Sequence, residues 1–224
     1  MPTPFAPALH PPFQLVIFDV DGTLIDSFPV FVELMNSFAE RYAYPPIHAD
    51  NIEEFRALAP KKILKKLKLS PLQTFTLMLR CKHKMKQFLH IPQKIQGVEQ
   101  LLRALKAQHI QIAIVSSNSA ANCQSYLGAE LFDLFDYIEC DASIYGKQRQ
   151  LKKIIRKVKA PLQQVIYIGD QIIDIQSAHK NGIQAAAVTW GFNNKQALLT
   201  EKPHYLCEEF TQLSQLLLPH QSQV

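Results

Sequence analysis

In Leu15-Val16-Ile17-Phe18-Asp19-Val20-Asp21-Gly22-Thr23, two carboxylates directly follow a short apolar run. The run predicts a buried parallel strand, and such a strand ends at the sheet edge where open α/β sheets bind their ligands. Asp19 and Asp21 would repel each other there without a cation. The pattern therefore favours a divalent metal site in which one carboxylate is a nucleophile and the other a proton carrier. A turn shaped by Asp and Gly is the simpler alternative.

After residue 94 the chain alternates strand-like and helical segments. Short apolar or β-branched runs predict strands at residues 111–115, 137–140, 165–168 and 184–188. Apolar residues at helical spacing predict helices at residues 97–108, 120–127, 147–158, 174–180 and 210–218. This alternation predicts an α/β fold with a doubly wound parallel sheet, a Rossmann-like core made of residues 13–28 and 95–224.

Residues 29–94 differ from their flanks in pattern and in charge. They predict helices at residues 30–42, 60–67 and 71–89 and no convincing strand. They contain 12 Lys/Arg against 5 Asp/Glu, and no acidic residue occurs between Phe55 and Val98. We expect this segment to be an α-helical cap domain inserted into the core.

Composition restricts the class of protein. The chain has 224 residues, and no apolar run approaches the roughly 18 residues that cross a bilayer. Residues 1–12 are rich in proline and lack the basic and apolar regions of a signal peptide, so we expect a short disordered lead. The four cysteines are far apart and form no C-x-x-C pair, which disfavours a zinc or disulfide framework. We expect a cytoplasmic protein without membrane association.

Three further sets of polar residues follow predicted strands or begin predicted helices. Residues 116–118 (Ser-Ser-Asn) offer hydroxyls and N–H groups for an anion, or an ordinary helix cap. Asp170, with Asp174 four residues later, would complete a metal site, or would simply favour a helix N-terminus. Lys147 begins a helix, where its charge opposes the dipole unless acidic strand ends pair with it; a solvated lysine is the alternative.

Taken in order, residues 19–27 (Asp-Val-Asp-Gly-Thr-Leu-Ile-Asp-Ser), Ser116, Lys147 and residues 169–174 (Gly-Asp-x-x-x-Asp) resemble the four motifs of the haloacid dehalogenase superfamily of phosphohydrolases. The predicted insert resembles the helical cap of the first type in that superfamily. Residues 188–193 (Val-Thr-Trp-Gly-Phe-Asn) resemble its phosphoglycolate phosphatase branch. Members that cleave carbon–halogen bonds lack the second carboxylate, so its presence here indicates phosphate chemistry.

The resemblance implies a catalytic set. Asp19 would attack phosphorus and form an aspartyl-phosphate, and Asp21 would protonate the leaving oxygen and then deprotonate water. Mg²⁺ would be held by Asp19, the main-chain carbonyl of Asp21, and Asp170. Ser116 and Lys147 would hold the phosphoryl oxygens.

Other residues would have supporting roles. Asp174 would orient Lys147 or a metal-bound water. Thr23, Ser117 and Asn118 would help to bind phosphate. In the fourth motif, residues 172–173 (Ile-Ile) are more apolar than in many relatives, a difference that concerns cap docking or local packing.

The basic cap bears on the substrate. We expect one or more of Arg56, Lys61 and Lys62 to bind an anionic leaving group, as in a small phosphate ester such as 2-phosphoglycolate. A solvated helix face is the alternative, and weighs more for the lysine run 61–68. Nucleic acid is not expected as a partner, because no aromatic stacking pattern accompanies the basic residues.

Other functions compatible with this sequence are a phosphomutase of the same fold, similar to β-phosphoglucomutase, and a non-enzymatic member that only binds phosphate. A response-regulator receiver is disfavoured, because such a domain is about half this length and its phosphorylated Asp comes well after the first strand, whereas here the Asp pair follows the first strand directly. We expect a monomer or a homodimer.

Overall fold

The computed structural model describes residues 13–85, 93–142 and 146–218, so the predicted lead at 1–12 lies outside the described residues. The strands are β1 (Leu15–Phe18), β2 (Ile25–Asp26), β3 (Gln93–Lys94), β4 (Gln111–Val115), β5 (Tyr137–Glu139), β6 (Val165–Gly169), β7 (Gln184–Val188) and β8 (Tyr205–Cys207). The helices are α1 (Phe28–Tyr42), α2 (Ile52–Arg56), α3 (Pro60–Lys66), α4 (Pro71–Met85), α5 (Val98–Ala107), α6 (Ala120–Leu127), α7 (Ala129–Phe132), α8 (Lys147–Val158), α9 (Ile172–Lys180), α10 (Lys195–Thr200) and α11 (Phe210–Leu217).

Six strands form one parallel sheet in the order β5-β4-β1-β6-β7-β8. Strand β1 lies inside the sheet, between β4 and β6, and Ile17 pairs with Ala113 on one side and with Tyr167 on the other. The strand order reverses direction at β1, which is where open sheets of this kind bind ligands. The predicted doubly wound α/β fold is confirmed.

The two faces of the sheet have separate apolar cores. Val16 and Phe18 of β1 pack on one face with residues of α5, α6 and α11, whereas Leu15 and Ile17 pack on the other with residues of α8, α9 and α10. All four side chains are fully buried. Burying one such side chain stabilises the fold by about 1.5–3 kcal/mol. Strand β1 is therefore held firmly in the sheet, and so is the position of Asp19, which follows its last residue.

Helices α1 to α4 have a third apolar cluster of their own, which includes Met35, Tyr44, Phe55 and Leu77. An inserted helical cap would have such a cluster, and the division of the chain into a core and a cap at residues 29–94 stays a prediction. We refer to these four helices and their connections as the cap.

One expectation for the insert was wrong, because residues 29–94 contain one short strand. Gln93–Lys94 (β3) pairs antiparallel with Ile25–Asp26 (β2), next to the points where the chain leaves and re-enters the core. Two residues are too few to show the alternation by which strands are recognised in sequence. The pair holds the two connections of the cap together.

Several other small elements were not predicted, namely β2, α2, α7, α10 and β8. Among the predicted ones, β5 ends at Glu139, β6 extends to Gly169, and α9 begins at Ile172 rather than at residue 174. The predicted end of the third cap helix at residue 89 lies outside the described residues. Across the described part of the chain, no helix combines the length and the apolarity needed to cross a membrane.

Candidate active site

The site begins where β1 ends. The Asp19 N–H donates to the Ile168 carbonyl of β6, which keeps Asp19 in line with the sheet. The chain then folds back tightly, because three successive N–H groups donate to the Val20 carbonyl. Gly22 lies in this loop at φ +76°, and a Cβ there would overlap the Asp170 carboxylate. Glycine is therefore required both for the backbone conformation and for the close approach of Asp170.

Lys147 lies between two buried carboxylates. Its Nζ donates to Asp19 Oδ2 and to Asp174 Oδ1, each at 2.6 Å, and the lysine is 2% exposed. Burial alone would lower the pKa of Lys147, but the neighbouring carboxylates of Asp174 and Asp19 raise it above its ordinary value. The ammonium therefore stays charged at the N-terminus of α8, where the acidic groups offset the unfavourable helix dipole.

Asp174 is oriented by several donors. Its Oδ1 also accepts from the Tyr167 hydroxyl at 3.0 Å, and its Oδ2 accepts from the Gln171 N–H at 3.0 Å in a capping box at the start of α9. The Tyr167 hydroxyl lies 3.2 Å from the Val115 carbonyl of β4 as well. Asp174 is thus a rigid acceptor that holds Lys147 toward the centre of the site.

Asp170 is completely buried just after β6. Thr23 Oγ1 donates to its Oδ1 at 3.0 Å, and the Phe192 N–H donates to its Oδ2 at 2.6 Å. Burial, together with the charges of Asp19 and Asp174, raises the pKa of Asp170 well above its ordinary value. Burial also raises the pKa of Asp19 to about 7, although Lys147 acts in the opposite direction. A cation would relieve this cost of holding the carboxylates ionised.

The donor set fits Mg²⁺. Carboxylate oxygens of Asp19, Asp170 and Asp174 all lie within 4.8 Å of one another, and hard oxygen ligands are those that Mg²⁺ prefers. Within this trio, Asp174 already accepts from a lysine, a tyrosine and a main-chain N–H. Asp19 accepts from Lys147 and the Val20 N–H, and Asp170 accepts from Thr23 and the Phe192 N–H, so each has one donor fewer than Asp174. The assignment of Asp19 and Asp170 as metal ligands, with Asp174 orienting Lys147, stays a prediction.

Asp21 extends from the same loop toward the end of β4. Its Oδ2 accepts from Asn118 Nδ2 at 3.0 Å, whereas its Oδ1 is buried and has no hydrogen-bond partner within the described residues. Burial raises the pKa of Asp21, while the Asn118 amide lowers it. A carboxyl group with a raised pKa and a free oxygen is suited to carrying a proton.

Ser116 and its neighbours form the β4 side of the site. Ser116 is fully buried, and its Oγ accepts from the Asn118 N–H at 3.1 Å. Asn118 Oδ1 is held in turn by the Ser119 N–H and by Asn122 Nδ2. Ser117 is exposed at the turn. The structure therefore gathers Ser116 and Asn118 beside the Asp pair and leaves the Ser117 side chain facing solvent.

The cap candidates for leaving-group binding differ from one another. The Arg56 Nη2 donates to the main-chain carbonyls of Thr189 and Gly191, so its guanidinium is engaged by the core in this structure. Lys62 is exposed on α3, and the Lys61 side chain lies outside the described set. Binding of a leaving group by these three residues stays a prediction.

Two residues of the site were missed from sequence. Tyr167 is an inward-facing aromatic residue of a buried strand, so its pattern was that of a core residue. Asn193 donates from Nδ2 to the carbonyls of Arg56 and Leu58 and accepts from the Ile172 N–H at Oδ1. Its segment, residues 188–193, resembles a family motif in sequence, but that resemblance alone does not predict these hydrogen bonds.

Comparison with known proteins shows which family this chain belongs to. The family model of haloacid dehalogenase-like hydrolases matches residues 16–188. The chain is 34% identical over 203 residues to a phosphoglycolate phosphatase of Synechococcus elongatus, a match that covers 90% of this chain and 96% of that protein. It is 21% identical over 211 residues to the pyrophosphatase PpaX of Bacillus anthracis, covering 90% of this chain and 95% of that one.

A solved structure of a haloacid dehalogenase-like family hydrolase from Streptococcus pneumoniae has a TM-score of 0.74 at 23% identity, over 90% of this chain and 96% of that chain. This likeness shows the fold. The family match spans most of the chain and includes all four motif regions, namely residues 19–27, Ser116, Lys147 and residues 169–174. The predicted enzyme class, a hydrolase similar to phosphoglycolate phosphatases, is confirmed, and the chain belongs to the haloacid dehalogenase-like hydrolase family.

Proposed function

We propose that this chain is a Mg²⁺-dependent phosphatase that hydrolyses a small phosphomonoester through an aspartyl-phosphate on Asp19. The observation that carries the proposal is the position of Lys147, held at 2.6 Å between Asp19 and Asp174 at the sheet edge. A buried cation beside a nucleophilic carboxylate is suited to an anionic substrate, because it offsets the charge that phosphate brings. The similarity to the Synechococcus elongatus phosphatase makes 2-phosphoglycolate the first substrate to test.

In the first step, an Asp19 oxygen attacks phosphorus in line with the leaving oxygen. The new O–P bond forms as the ester O–P bond breaks, and Asp21 gives its proton to the departing alkoxide. Asp21 is partly exposed, and burial of its carboxyl group raises its pKa, a direction that favours the protonated form this step needs. The products are the alcohol and the aspartyl-phosphate.

In the second step, Asp21, now ionised, takes a proton from a water that attacks the phosphorus. The Asp19 carboxylate leaves, and inorganic phosphate is released. The Asn118 amide donates to Asp21 Oδ2 and so holds the Asp21 carboxylate in one orientation through both steps. A single carboxyl group then serves as acid and as base, and each turnover restores its starting state.

Charge on the transferring phosphoryl group has to be balanced throughout. The Lys147 ammonium and the Ser116 hydroxyl, both buried at the ends of neighbouring elements, would donate to its oxygens. Mg²⁺, held by Asp19, the Asp21 carbonyl and Asp170, would supply further positive charge against the phosphate oxygens when bound. Positioning and charge balance are the main requirements of phosphoryl transfer.

Phosphate release from a panel of phosphomonoesters, with and without Mg²⁺, tests the proposal. The panel contains 2-phosphoglycolate and sugar phosphates, and inorganic pyrophosphate is measured beside it as a phosphoanhydride, for the wild type, Asp19→Asn and the exposed control Asp133→Asn. We expect Mg²⁺-dependent release that is lost in Asp19→Asn and kept in Asp133→Asn. Isomerisation of a sugar 1-phosphate without net phosphate release would instead identify a phosphomutase, and turnover by Asp19→Asn would exclude Asp19 as nucleophile.

A further inference from the structure

The loop of residues 189–194, which we call the β7 loop, contacts both the cap and Asp170. On the core side, the Phe192 N–H donates to Asp170 Oδ2 at 2.6 Å, and the Asn193 N–H donates to the Asp170 carbonyl at 3.2 Å. A Cβ on Gly191 would overlap the Asp170 side chain, so the loop backbone lies directly against this carboxylate. The β7 loop therefore determines where Asp170 Oδ2 points.

On the cap side, the β7 loop is held by Arg56 at the end of α2. Arg56 Nη2 donates to the Thr189 carbonyl at 3.1 Å and to the Gly191 carbonyl at 2.8 Å. Its own main-chain carbonyl accepts from the Asn194 N–H at 3.0 Å. The guanidinium carbon lies 5.4 Å from the centre of the Phe28 ring, which limits the side chain's freedom.

One peptide group joins these two sides. The Gly191 carbonyl and the Phe192 N–H belong to the same planar unit and point in opposite directions. Arg56 binds the oxygen of this unit, and Asp170 binds its hydrogen. Rotation of the plane would break both hydrogen bonds together, and a cation on the carbonyl also polarises the N–H toward the carboxylate.

We propose that Arg56 is a positioning residue, which fixes Asp170 through the peptide group between residues 191 and 192 and so couples docking of α2 to Mg²⁺ affinity. The inference rests on the proposed function, because it takes Asp170 as a ligand of Mg²⁺. It differs from the expectation that Arg56 binds the leaving group, since it assigns the guanidinium an effect that needs no substrate. Groups that orient a metal ligand typically change metal affinity by about 10–100-fold.

The sign of the effect separates positioning from simple electrostatics. Removing a positive charge from the surroundings of a cation site would tighten Mg²⁺ binding if charge alone mattered. Loss of the Arg56 contacts would instead free the peptide plane and Asp170 Oδ2, and weaken binding. Arg56→Met keeps much of the apolar stem beside Phe28 while it removes the guanidinium.

Calorimetric titration of Mg²⁺ into substrate-free protein tests the inference, for the wild type, Arg56→Met and the matched control Arg80→Met on the exposed surface of the cap. We expect Arg56→Met to bind Mg²⁺ about tenfold more weakly and Arg80→Met to bind as the wild type does. Unchanged or tighter binding by a folded Arg56→Met would overturn the inference, even if its melting temperature fell. A wild type that binds no Mg²⁺ would overturn the proposed function itself.

Coupling is reciprocal, which gives a second measurement on the unmodified protein. Mg²⁺ should slow hydrogen exchange at the Asn194 amide, because that amide donates across the boundary to the Arg56 carbonyl. This experiment tests the coupling even if Arg56→Met does not fold. An exchange rate at the Asn194 amide that is the same with and without Mg²⁺ would contradict the coupling. A leaving-group role would show differently, as a raised KM for anionic esters with substrate-free Mg²⁺ binding intact.

Discussion

The Lys147 ammonium lies 2.6 Å from Asp19 Oδ2, and both residues are almost completely buried. Asp174 Oδ1 lies at the same distance on the other side of the ammonium. The three side chains come from the end of β1 and from the first turns of α8 and α9, so the cluster joins three separate elements. A buried cation of this kind is stable only while its carboxylates are present, and they in turn depend on it.

Lys147→Met should destabilise the protein and abolish turnover. Removing one partner of a buried ion pair typically costs about 3–5 kcal/mol, because the remaining charge has no compensation. Chemical denaturation at pH 8 in EDTA measures the loss, and Lys153→Met is the control, since Lys153 forms an exposed ion pair with Glu139. A loss for Lys147→Met as small as that of the control would contradict the role of the cluster.

Asp174→Asn should lower the free energy of unfolding, because Lys147 loses one of its two buried carboxylates, and should lower kcat more than it raises KM. The single amide oxygen can accept from Tyr167 in place of Oδ1 or from the Gln171 N–H in place of Oδ2, but not from both. The neutral amide also no longer attracts the lysine ammonium, whose position becomes less defined. We expect a decrease in kcat of about 10–100-fold. Steady-state kinetics test this by comparing kcat and KM of Asp174→Asn with those of Asp133→Asn, which removes an exposed carboxylate. Wild-type kcat in Asp174→Asn would show that Lys147 is positioned without it.

Asp21→Asn should separate the two chemical steps. General acid–base catalysis contributes about 10²–10⁴-fold, and an ester with a good leaving group, such as p-nitrophenyl phosphate, needs little help from an acid. The first step should then proceed while attack of water is slow, so the aspartyl-phosphate accumulates. Rapid mixing should show a burst of nitrophenol followed by slow turnover. Equal slowing of activated and unactivated esters, without a burst, would mean that Asp21 does not carry the proton.

The gathering of the site's polar side chains at one place was largely predictable, because they lie at strand ends. Asp19, Asp170 and Lys147 each follow a hydrophobic run or begin an amphipathic helix, and parallel strands bring such positions to one edge of the sheet. What could not be predicted depends on backbone donors, such as the Phe192 N–H that binds Asp170. Every residue except proline has a main-chain N–H, so the residue type does not show which N–H will bind Asp170. The direction of the N–H depends on the path of the loop, which tertiary contacts determine.

The fold was predictable to a similar degree and for a related reason. Long amphipathic elements such as α5 and α8 carry enough apolar residues to define their period, whereas β3 and β8 are too short to do so. The hydrogen bonds from Arg56 to the core also could not be predicted, because the residue type of a basic residue in a basic segment does not indicate a carbonyl partner more than 130 positions away. Contacts between the cap and the core can be identified only from the three-dimensional structure.

Gly22→Ala should weaken Mg²⁺ binding as well as stability. An alanine at φ +76° carries backbone strain of roughly 1–2 kcal/mol, and its Cβ would push against the Asp170 carboxylate. Gly128→Ala is a matched control, because Gly128 has φ +85° and no atom within 4 Å of a built Cβ. Both variants should lose stability in denaturation, but only Gly22→Ala should lose Mg²⁺ affinity. Equal Mg²⁺ affinities in the two variants would show that Asp170 tolerates displacement.

Stability of the metal-free protein should fall as the pH rises from about 4 to about 7. The pKa of Asp19 is raised to about 7 in the folded protein, so over this range the unfolded chain has released a proton that the native state still holds. Unfolding is then favoured progressively as pH increases, and the raised pKa values of Asp21 and Asp170 act in the same direction. Lys147 adds no slope here, because its pKa is raised from a value already above this range.

Mg²⁺ should reverse this trend, because it binds the ionised carboxylates and competes with protons for them. Melting curves at pH 5 and pH 8, in EDTA and in excess Mg²⁺, make the test. The rise in melting temperature caused by Mg²⁺ should be larger at pH 8, and Asp170→Asn should show little of it at either pH. The same increment at both pH values would mean that Mg²⁺ stabilises the protein elsewhere, since a site built from these buried carboxylates has to gain affinity as they ionise.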